Sequence, residues 1–410
     1  MRKLLAVLVL AAACRRDTPT VRQPHKRGPS FDVVHPGAVR DASERGNLLN
    51  MVYGASIVSR TAEMTLEQSA VRAIDGDPQT TWTSPPDDGP NQVVVFALPT
   101  LTRAKKVGIQ TPPIAMFHVN VVQLDASIDG VSFSPLATIK VPADAEDPEL
   151  VPVDRNIVYL RMTTLDAPGK FARVNSVHVH GDFAAPVRQA ALTGCWTAND
   201  LSAQFASDRG RVMGTLAGAR PVSFDGGSDG LVYRFVWVSG PDRGFAAIDT
   251  APDGKHFSGL RWYEEPMEYS SSESWFGERS QCTGPLPHQD VISEFVRWKH
   301  RVPLYSLHFD SRGALDEVSS AAGLEIIANF ARQPVSQKLR LVSREYRFPD
   351  AEQNRRAAQA RLDSLRAALQ KRGIDAQRFE WSSPGSENPP SNIETEIQRN
   401  LYSAVELQAQ

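Results

Sequence analysis

The sequence predicts a multidomain, β-rich chain: an all-β sandwich, then a small antiparallel β meander or barrel, then an α/β domain of βαβαβ order. Three observations predict it. Short β-branched runs separated by Gly, Pro and Asp clusters fill residues 46–183. Turn signals recur between aromatic strands through 190–284. Helical periodicity first appears over 300–410.

Composition agrees. The chain has 410 residues, 41% hydrophobic and 22% charged, which suits two or three packed domains. The formal net charge of -2 gives no electrostatic reason for a nucleic-acid partner.

The N-terminus carries its own signal. Arg2 and Lys3 precede an unbroken apolar run from Leu4 to Ala13. As a helix this run spans roughly 15 Å, about half a hydrocarbon core, so it is a signal h-region and not a membrane span. It ends in Ala11-Ala12-Ala13 before Cys14. The whole resembles a bacterial lipoprotein signal, with Ala11 where the usual lipobox has Leu. That resemblance implies acylation of Cys14, and Arg15 after it implies onward transport to the outer membrane. Residues 15–45 hold Arg15, Arg16, Arg22, Lys26, Arg27 and several prolines, and read as a basic tether.

In the first domain, Val93-Val94-Val95-Phe96, Lys106-Val107-Gly108-Ile109, Val121-Val122-Gln123-Leu124 and Val158-Tyr159-Leu160-Arg161 read as strands. The stretch Ala73-Ile74-Asp75-Gly76-Asp77-Pro78-Gln79-Thr80-Thr81-Trp82 contains an Asp-Gly-Asp turn followed by Thr and Trp. Asn47-Leu48-Leu49 and Gly54-Ala55-Ser56 lie before it. Ser127-Ile128-Asp129-Gly130 and Val177-His178-Val179-His180-Gly181 lie after it. In this order these pieces resemble the discoidin domain, also called coagulation factor 5/8 type C. The resemblance covers 46–183 and implies a jelly-roll, galactose-binding-like sandwich that binds a glycan, lipid or protein through loops at one end. It also implies calcium at Asp75, Asp77 and Thr80. Hard oxygens on one tight loop suit that ion. The same residues read equally as a self-capping Asp-Gly turn. The family's acidic ligand on the last strand falls near Ser176, which has no carboxylate. Trp82 reads as core, and His178 with His180 as solvent-facing on one strand face.

The middle domain is bracketed by Cys195 and Cys282. With Cys14 acylated, these are an even pair, and an oxidising compartment favours a disulfide over two separate thiols. Glu264, Glu265, Glu268, Glu273 and Glu278 lie among Trp262, Tyr263 and Trp275. Paired carboxylates near aromatics suit glycoside hydrolysis; solvated hairpin charges are the simpler account.

In the last domain, Leu324, Ile327 and Ala331 fit one helical face, and Leu362, Leu365 and Leu369 fit another on a helix over 351–372. Strands are expected at 305–309, 338–342 and 378–381. Leu307-His308-Phe309-Asp310-Ser311, Asn354 with Arg361, and Val405-Glu406-Leu407 resemble the OmpA-like domain. That resemblance implies peptidoglycan binding, with Arg361 gripping the peptide carboxylate. The family's acid position falls on Tyr346, one residue from Glu345, and Ser403-Ala404 stand where the family has arginines.

The expected function is therefore a non-catalytic envelope lipoprotein that binds a glycan or envelope polymer, with peptidoglycan as a further ligand and calcium as its one candidate cofactor. A carbohydrate-active enzyme built on the middle domain and an envelope assembly factor are the alternatives. Cys14→Ala is expected to abolish palmitate labelling and to move the protein from the membrane to the soluble envelope fraction. Unchanged membrane partition would remove the anchor from this reading.

Overall fold

A computed structural model describes residues 31–33, 46–114, 116–144, 147–264, 272–333, 338–387 and 395–409. Cys14, most of the tether, Glu265 and Glu268 lie outside the described residues.

The first domain is a β-sandwich. Its strands are β1 Phe31–Val33, β2 Ser56–Arg60, β3 Trp82–Thr83, β4 Val93–Gln110, β5 Val121–Ser127, β6 Ser134–Lys140, β7 Glu149–Asp166, β8 Arg173–Val174, β9 Ser176–Phe183 and β10 Arg188–Ala190. The main sheet runs β2-β4-β7-β5-β6 with β9 also on β4, and β3 pairs with β8. Alternate residues of β4, β7 and β9 point into one core. Val94, Phe96, Leu160 and Val177 are fully buried there with Trp82, as expected of that tryptophan. One expectation is corrected. The stretch read as tether contains β1, which pairs antiparallel with β10.

The middle domain is a closed barrel of β11 Gly194–Ala198, β12 Leu201–Asp208, β13 Arg211–Leu216, β14 Val222–Ser228, β15 Tyr233–Ser239, β16 Asp242–Thr250, β17 His256–Tyr263 and β18 Ser272–Arg279. Every pairing is antiparallel between chain neighbours, and β11 closes on β18. Of the two forms expected, the barrel is the one that forms. Its interior is solid with rings: Trp196, Phe205, Phe224, Phe235, Trp237, Phe257 and Trp275. Glycines on the facing strands make room for them. A Cβ on Gly277 would lie 2.1 Å from the Phe257 ring. Cys195 and Cys282 form the expected disulfide, with Cα atoms 5.2 Å apart. It pins the strap that follows β18 onto β11. The strap then crosses the outer wall, with Leu286 N donating to Gln204 Oε1 at 3.3 Å and Gln289 N to Ser223 Oγ at 2.9 Å.

The last domain contains α1 Val291–Lys299, β19 Arg301–Pro303, α2 Ala321–Arg332, β20 Leu339–Arg344, α3 Ala351–Lys371, β21 Phe379–Gly385, α4 Glu396–Tyr402 and β22 Val405–Ala409. Its mixed sheet runs β19-β22-β20-β21, with β20 and β21 parallel. Helix α3 begins at Asp350, whose carboxylate accepts from Glu352 N at 3.0 Å, and buries Leu362, Leu365 and Leu369. Three expectations shift. Helix α1 lies wholly before residue 300, where helices were expected to begin. Residues 305–309 are not a strand: they hold a single bridge, Phe309 to Leu315, and the first strand is β19. An extra helix, α4, precedes β22 and is closed by a capping box between Thr395 and Gln398.

The three domains are not beads. One apolar core runs through all of them, and outward-facing Val236, Phe245, Leu260 and Trp262 of the barrel belong to it. Polar ties accompany it. Ile57 N donates to Ser258 Oγ at 2.9 Å, Tyr53 Oη to Glu396 Oε2 at 2.9 Å, and Arg234 Nη1 to Asn400 O at 3.0 Å.

One buried group on the barrel wall lacks such a tie. Asp249 lies on the outward side of β16, fully buried, and neither carboxylate oxygen finds a hydrogen-bond partner among the described residues. Burial first, and then the Asp229 carboxylate, push its pKa well above the usual carboxylate range. A raised folded-state value gives stability that is complete below the unfolded-state pKa of about 4. That stability is lost as pH rises towards the folded value. Asp249→Asn is therefore expected to be more stable than wild type at pH 8 and to lose that advantage at pH 4, in denaturant titrations at both values. Parallel curves would show that the folded Asp249 is not held protonated.

Candidate functional site

The Asp75 corner follows from its turn. Gly76 at φ +76 opens a tight loop in which Asp75 Oδ1 accepts from Asp77 N at 3.0 Å. The Thr80 hydroxyl donates to the Asp75 carboxylate at 2.9 Å and lies 3.0 Å from Asp77 O and 3.4 Å from Arg72 O. Asp75 is buried, and burial, opposed by Arg72 at 3.3 Å, holds its pKa up at about 6. Asp77 Oδ1 caps Gln79 N at 2.9 Å, and its carbonyl accepts from the Thr80 hydroxyl at 3.0 Å. On the rim the neighbour is Asn175 rather than Ser176. Its Nδ2 donates to Pro78 O at 2.7 Å, while its buried Oδ1 has no partner among the described residues. The Asp75 carboxylate, the Thr80 hydroxyl and the carbonyls of Arg72 and Asp77 are the oxygens here that could serve a hard cation such as calcium. The same corner is also a joint, since Arg72 Nη2 reaches across to Ser272 Oγ of the barrel at 2.7 Å.

The other expected residues scatter. His178 and His180 stack at 5.6 Å and are half-buried, not solvent-facing; burial and the neighbouring ring hold His178 down at about 4. Glu273 pairs with Arg261, which stands among Trp237, Tyr263 and Trp275 inside the barrel. Glu278 is five residues on, so strand alternation turns it to the outer wall, where it lines a groove of about 480 Å³ with Asp200 and His256. Glu264 is a turn residue at φ +58. Glu273 and Glu278 thus face opposite sides of one wall and cannot form the carboxylate pair that glycoside hydrolysis needs.

Arg361 sits in an internal ion pair. It is buried, and its Nη2 donates to Glu345 Oε2 at 2.5 Å. Arg347 grips the same carboxylate at 2.7 and 2.8 Å. Glu345 is fully buried and its pKa lies well below the usual range; these two guanidiniums outweigh the opposing effect of burial. The chain's own carboxylate thus occupies Arg361, where the sequence had assigned an external one. Tyr346, at the family's acid position, donates its backbone N–H to Ser403 Oγ at 3.0 Å.

The structure also assembles a cluster that sequence reading missed. Loop residues 84–91, 111–114 with 116–120, and 167–172 meet at one apex of the sandwich. Arg173 N donates to Phe117 O at 3.0 Å and Asp87 N to Lys170 O at 2.8 Å. Gly169 packs so tightly on Met116 that a Cβ would lie 2.1 Å from its carbonyl oxygen. On this frame the Arg173 guanidinium lies 3.7 Å from the Phe117 ring centre, and Phe117 meets Phe171 at 5.9 Å. Ile114 and Met116 stand out at 49% and 54% exposure, beside the exposed Asp87, Asp88 and Lys170. Arg173 makes no ion pair among the described residues. Its Nε is shielded yet donates to nothing there, and partial burial lowers its pKa. The available signal was the apolar loop Pro112-Pro113-Ile114 with Met116-Phe117, which no strand pattern absorbs.

No family model matches the sequence, and no curated protein matches it. Solved structures do. The chain is similar to the CBM32-3 module of a family 31 glycoside hydrolase from Clostridium perfringens, at 18% identity and a TM-score of 0.31, covering 34% of this chain and 98% of that one. It is similar to the C-terminal domain of a chitobiase from Bacteroides fragilis, at 18% identity and a TM-score of 0.30, covering 32% and 96%. It is also similar to the family 32 CBM of C. perfringens NanJ in complex with galactose, at 17% identity and a TM-score of 0.27, covering 30% and 98%.

Calcium added after chelation is expected to raise the melting temperature by several degrees, and Asp75→Asn to abolish the rise. An equal rise in that variant would move the ion elsewhere.

Proposed function

We propose that this chain is a non-catalytic binding protein of a bacterial cell envelope, anchored by lipid at Cys14, that holds a glycan at the apex of its sandwich. The observation that carries the reading is Arg173. Among the described residues Arg173 has no ion pair, and its half-buried guanidinium lies over the Phe117 ring on a frame held by three loops, so its donors are free to meet a ligand. It suits a ligand that brings hydroxyl or carboxylate acceptors and an apolar ring face. Asp87 and Asp88 add acceptors for sugar hydroxyls, and Phe171 extends the stacking surface.

The remaining domains support this site. Calcium at the Asp75 corner would hold the loop that Asp75, Thr80 and the carbonyls of Arg72 and Asp77 already shape. An OmpA-like reading of the last domain rests on the sequence resemblance alone. Its Arg361 is engaged by Glu345, so peptidoglycan would have to displace an internal pair, and a scaffolding part suits this domain better. Outer-membrane placement follows from the N-terminal signal and rests on the same reading.

Arg173→Ala and Phe171→Ala are each expected to weaken glycan binding by about 1 to 3 kcal/mol, read on a glycan array and then by titration calorimetry with the strongest binder. Leu201→Ala, far from the apex loops in sequence and exposed, is the control that leaves binding unchanged. Equal binding by all variants would remove the apex from the function.

A further inference from the structure

The apex guanidinium is placed by a very short piece of backbone. Strand β8 is two residues long and pairs with β3, with Thr83 opposite Arg173 and Trp82 opposite Val174. Strand alternation turns Val174 into the core, fully buried with Trp82, and leaves Arg173 on the other face. A two-residue pairing carries little stability of its own. The segment is held instead from its two ends. Upstream, Ala172 N donates to Ser84 Oγ at 3.0 Å, and Ser84 N donates to Ala172 O at 2.9 Å. Downstream, the residue that holds it is Asn175.

Asn175 is pinned from two directions. Its backbone N–H donates to the carbonyl of Gln110, the last residue of β4, at 2.9 Å. Its Nδ2 donates to Pro78 O at 2.7 Å and lies 3.4 Å from Thr80 O. Both carbonyls belong to the Asp75 turn, where the Thr80 hydroxyl donates to the Asp75 carboxylate at 2.9 Å. The Asn175 amide thus joins the turn before β3 to the residue after β8, across the ribbon that carries Arg173. The guanidinium has little else to fix it. Among the described residues it forms no ion pair, and its Nε donates to nothing. Its contact is the Phe117 ring, 3.7 Å away. A gap of roughly 0.5 to 1 Å forfeits a quarter to a half of such a contact. Small movements of the β8 backbone therefore decide whether Arg173 stays over the ring.

We infer that Asn175 is a positioning residue for the apex. It clamps the end of β8 against the Asp75 turn, so that the Arg173 guanidinium is held over Phe117 for an incoming sugar. This role rests on the apex reading of the ligand. It makes the Asp75 turn part of the binding machinery, through Asn175 and Arg173 rather than through a group of its own.

The test uses the full chain, labelled with ¹⁵N-arginine, and has two readouts. The first is the Arg173 Nε–H resonance, assigned by its loss in Arg173→Ala; this group is shielded from solvent. Asn175→Ala is expected to shift that resonance and to speed its exchange with water. Asn175→Asp, which keeps the shape and removes the donor, is expected to do the same and serves if the alanine variant fails to fold. Ser176→Ala, whose hydroxyl serves Gln110 and His178 instead, is expected to leave the resonance in place. The second readout is binding to an array of neutral and acidic oligosaccharides, then calorimetry with its strongest binder. Asn175→Ala is expected to weaken that binding by about three- to tenfold, the worth of one net hydrogen bond. In the Arg173→Ala background it is expected to cost nothing further. An Arg173 resonance that Asn175→Ala leaves unmoved, or that Ser176→Ala moves equally, overturns the role of Asn175. So does a binding loss that simply adds to that of Arg173→Ala. Binding that Arg173→Ala itself leaves intact counts against the apex reading, while the resonance still decides whether Asn175 holds Arg173.

Discussion

The architecture depends on a barrel wall that is apolar on both sides. Strand alternation sends Phe235 and Trp237 of β15 inward, among the packed rings, and Val236 and Val238 outward, into the core shared with the other domains. An antiparallel barrel with a solvated exterior would show polar residues at those outward positions. Here Phe245 meets Phe295 of α1 at 5.6 Å, and Phe276 lies under Arg60 of the sandwich at 3.3 Å. The barrel is therefore the piece against which both end domains are held, and its disulfide secures the strap along its outer wall.

Two arginines carry the polar ties across these interfaces. Arg72 and Arg234 cross from one domain to the next and end on backbone oxygens as well as side chains. Breaking such ties leaves a buried charge without a partner, which costs more than the tie itself contributes. Both oxygens of the buried Asp249 carboxylate on the barrel wall lack a partner among the described residues, and burial raises its pKa. Glu345 shows the opposite solution: two arginines keep it ionised inside the last domain. The apex differs from all of these. Arg173 is half-buried and open to solvent over Phe117, whereas Arg361 is buried against Glu345.

Much of this was legible in sequence order. Asp75-Gly76-Asp77 marked a turn, Asp350 with the leucines of α3 marked a helix, and Cys195 with Cys282 marked a bridge. Each is a local or pairwise signal that composition and spacing expose. The misread pieces depended on partners far away in the chain. Phe31–Val33 become a strand because β10 offers an edge. Residues 305–309 lose theirs because Arg301–Pro303 takes the place beside β22.

Sequence by itself determined the three folding units, their strand and helix periods, and the chemistry of the Asp75 loop and the cysteines. Only the tertiary structure decided what those groups can reach. It closed the barrel, buried Arg361 against Glu345, placed Glu273 and Glu278 on opposite faces, and drew three loops together around Phe117 and Arg173. The physical reason is one of distance. Side-chain periodicity is written in neighbouring residues, whereas charge pairing, stacking and burial depend on which distant surfaces the apolar barrel wall brings into contact.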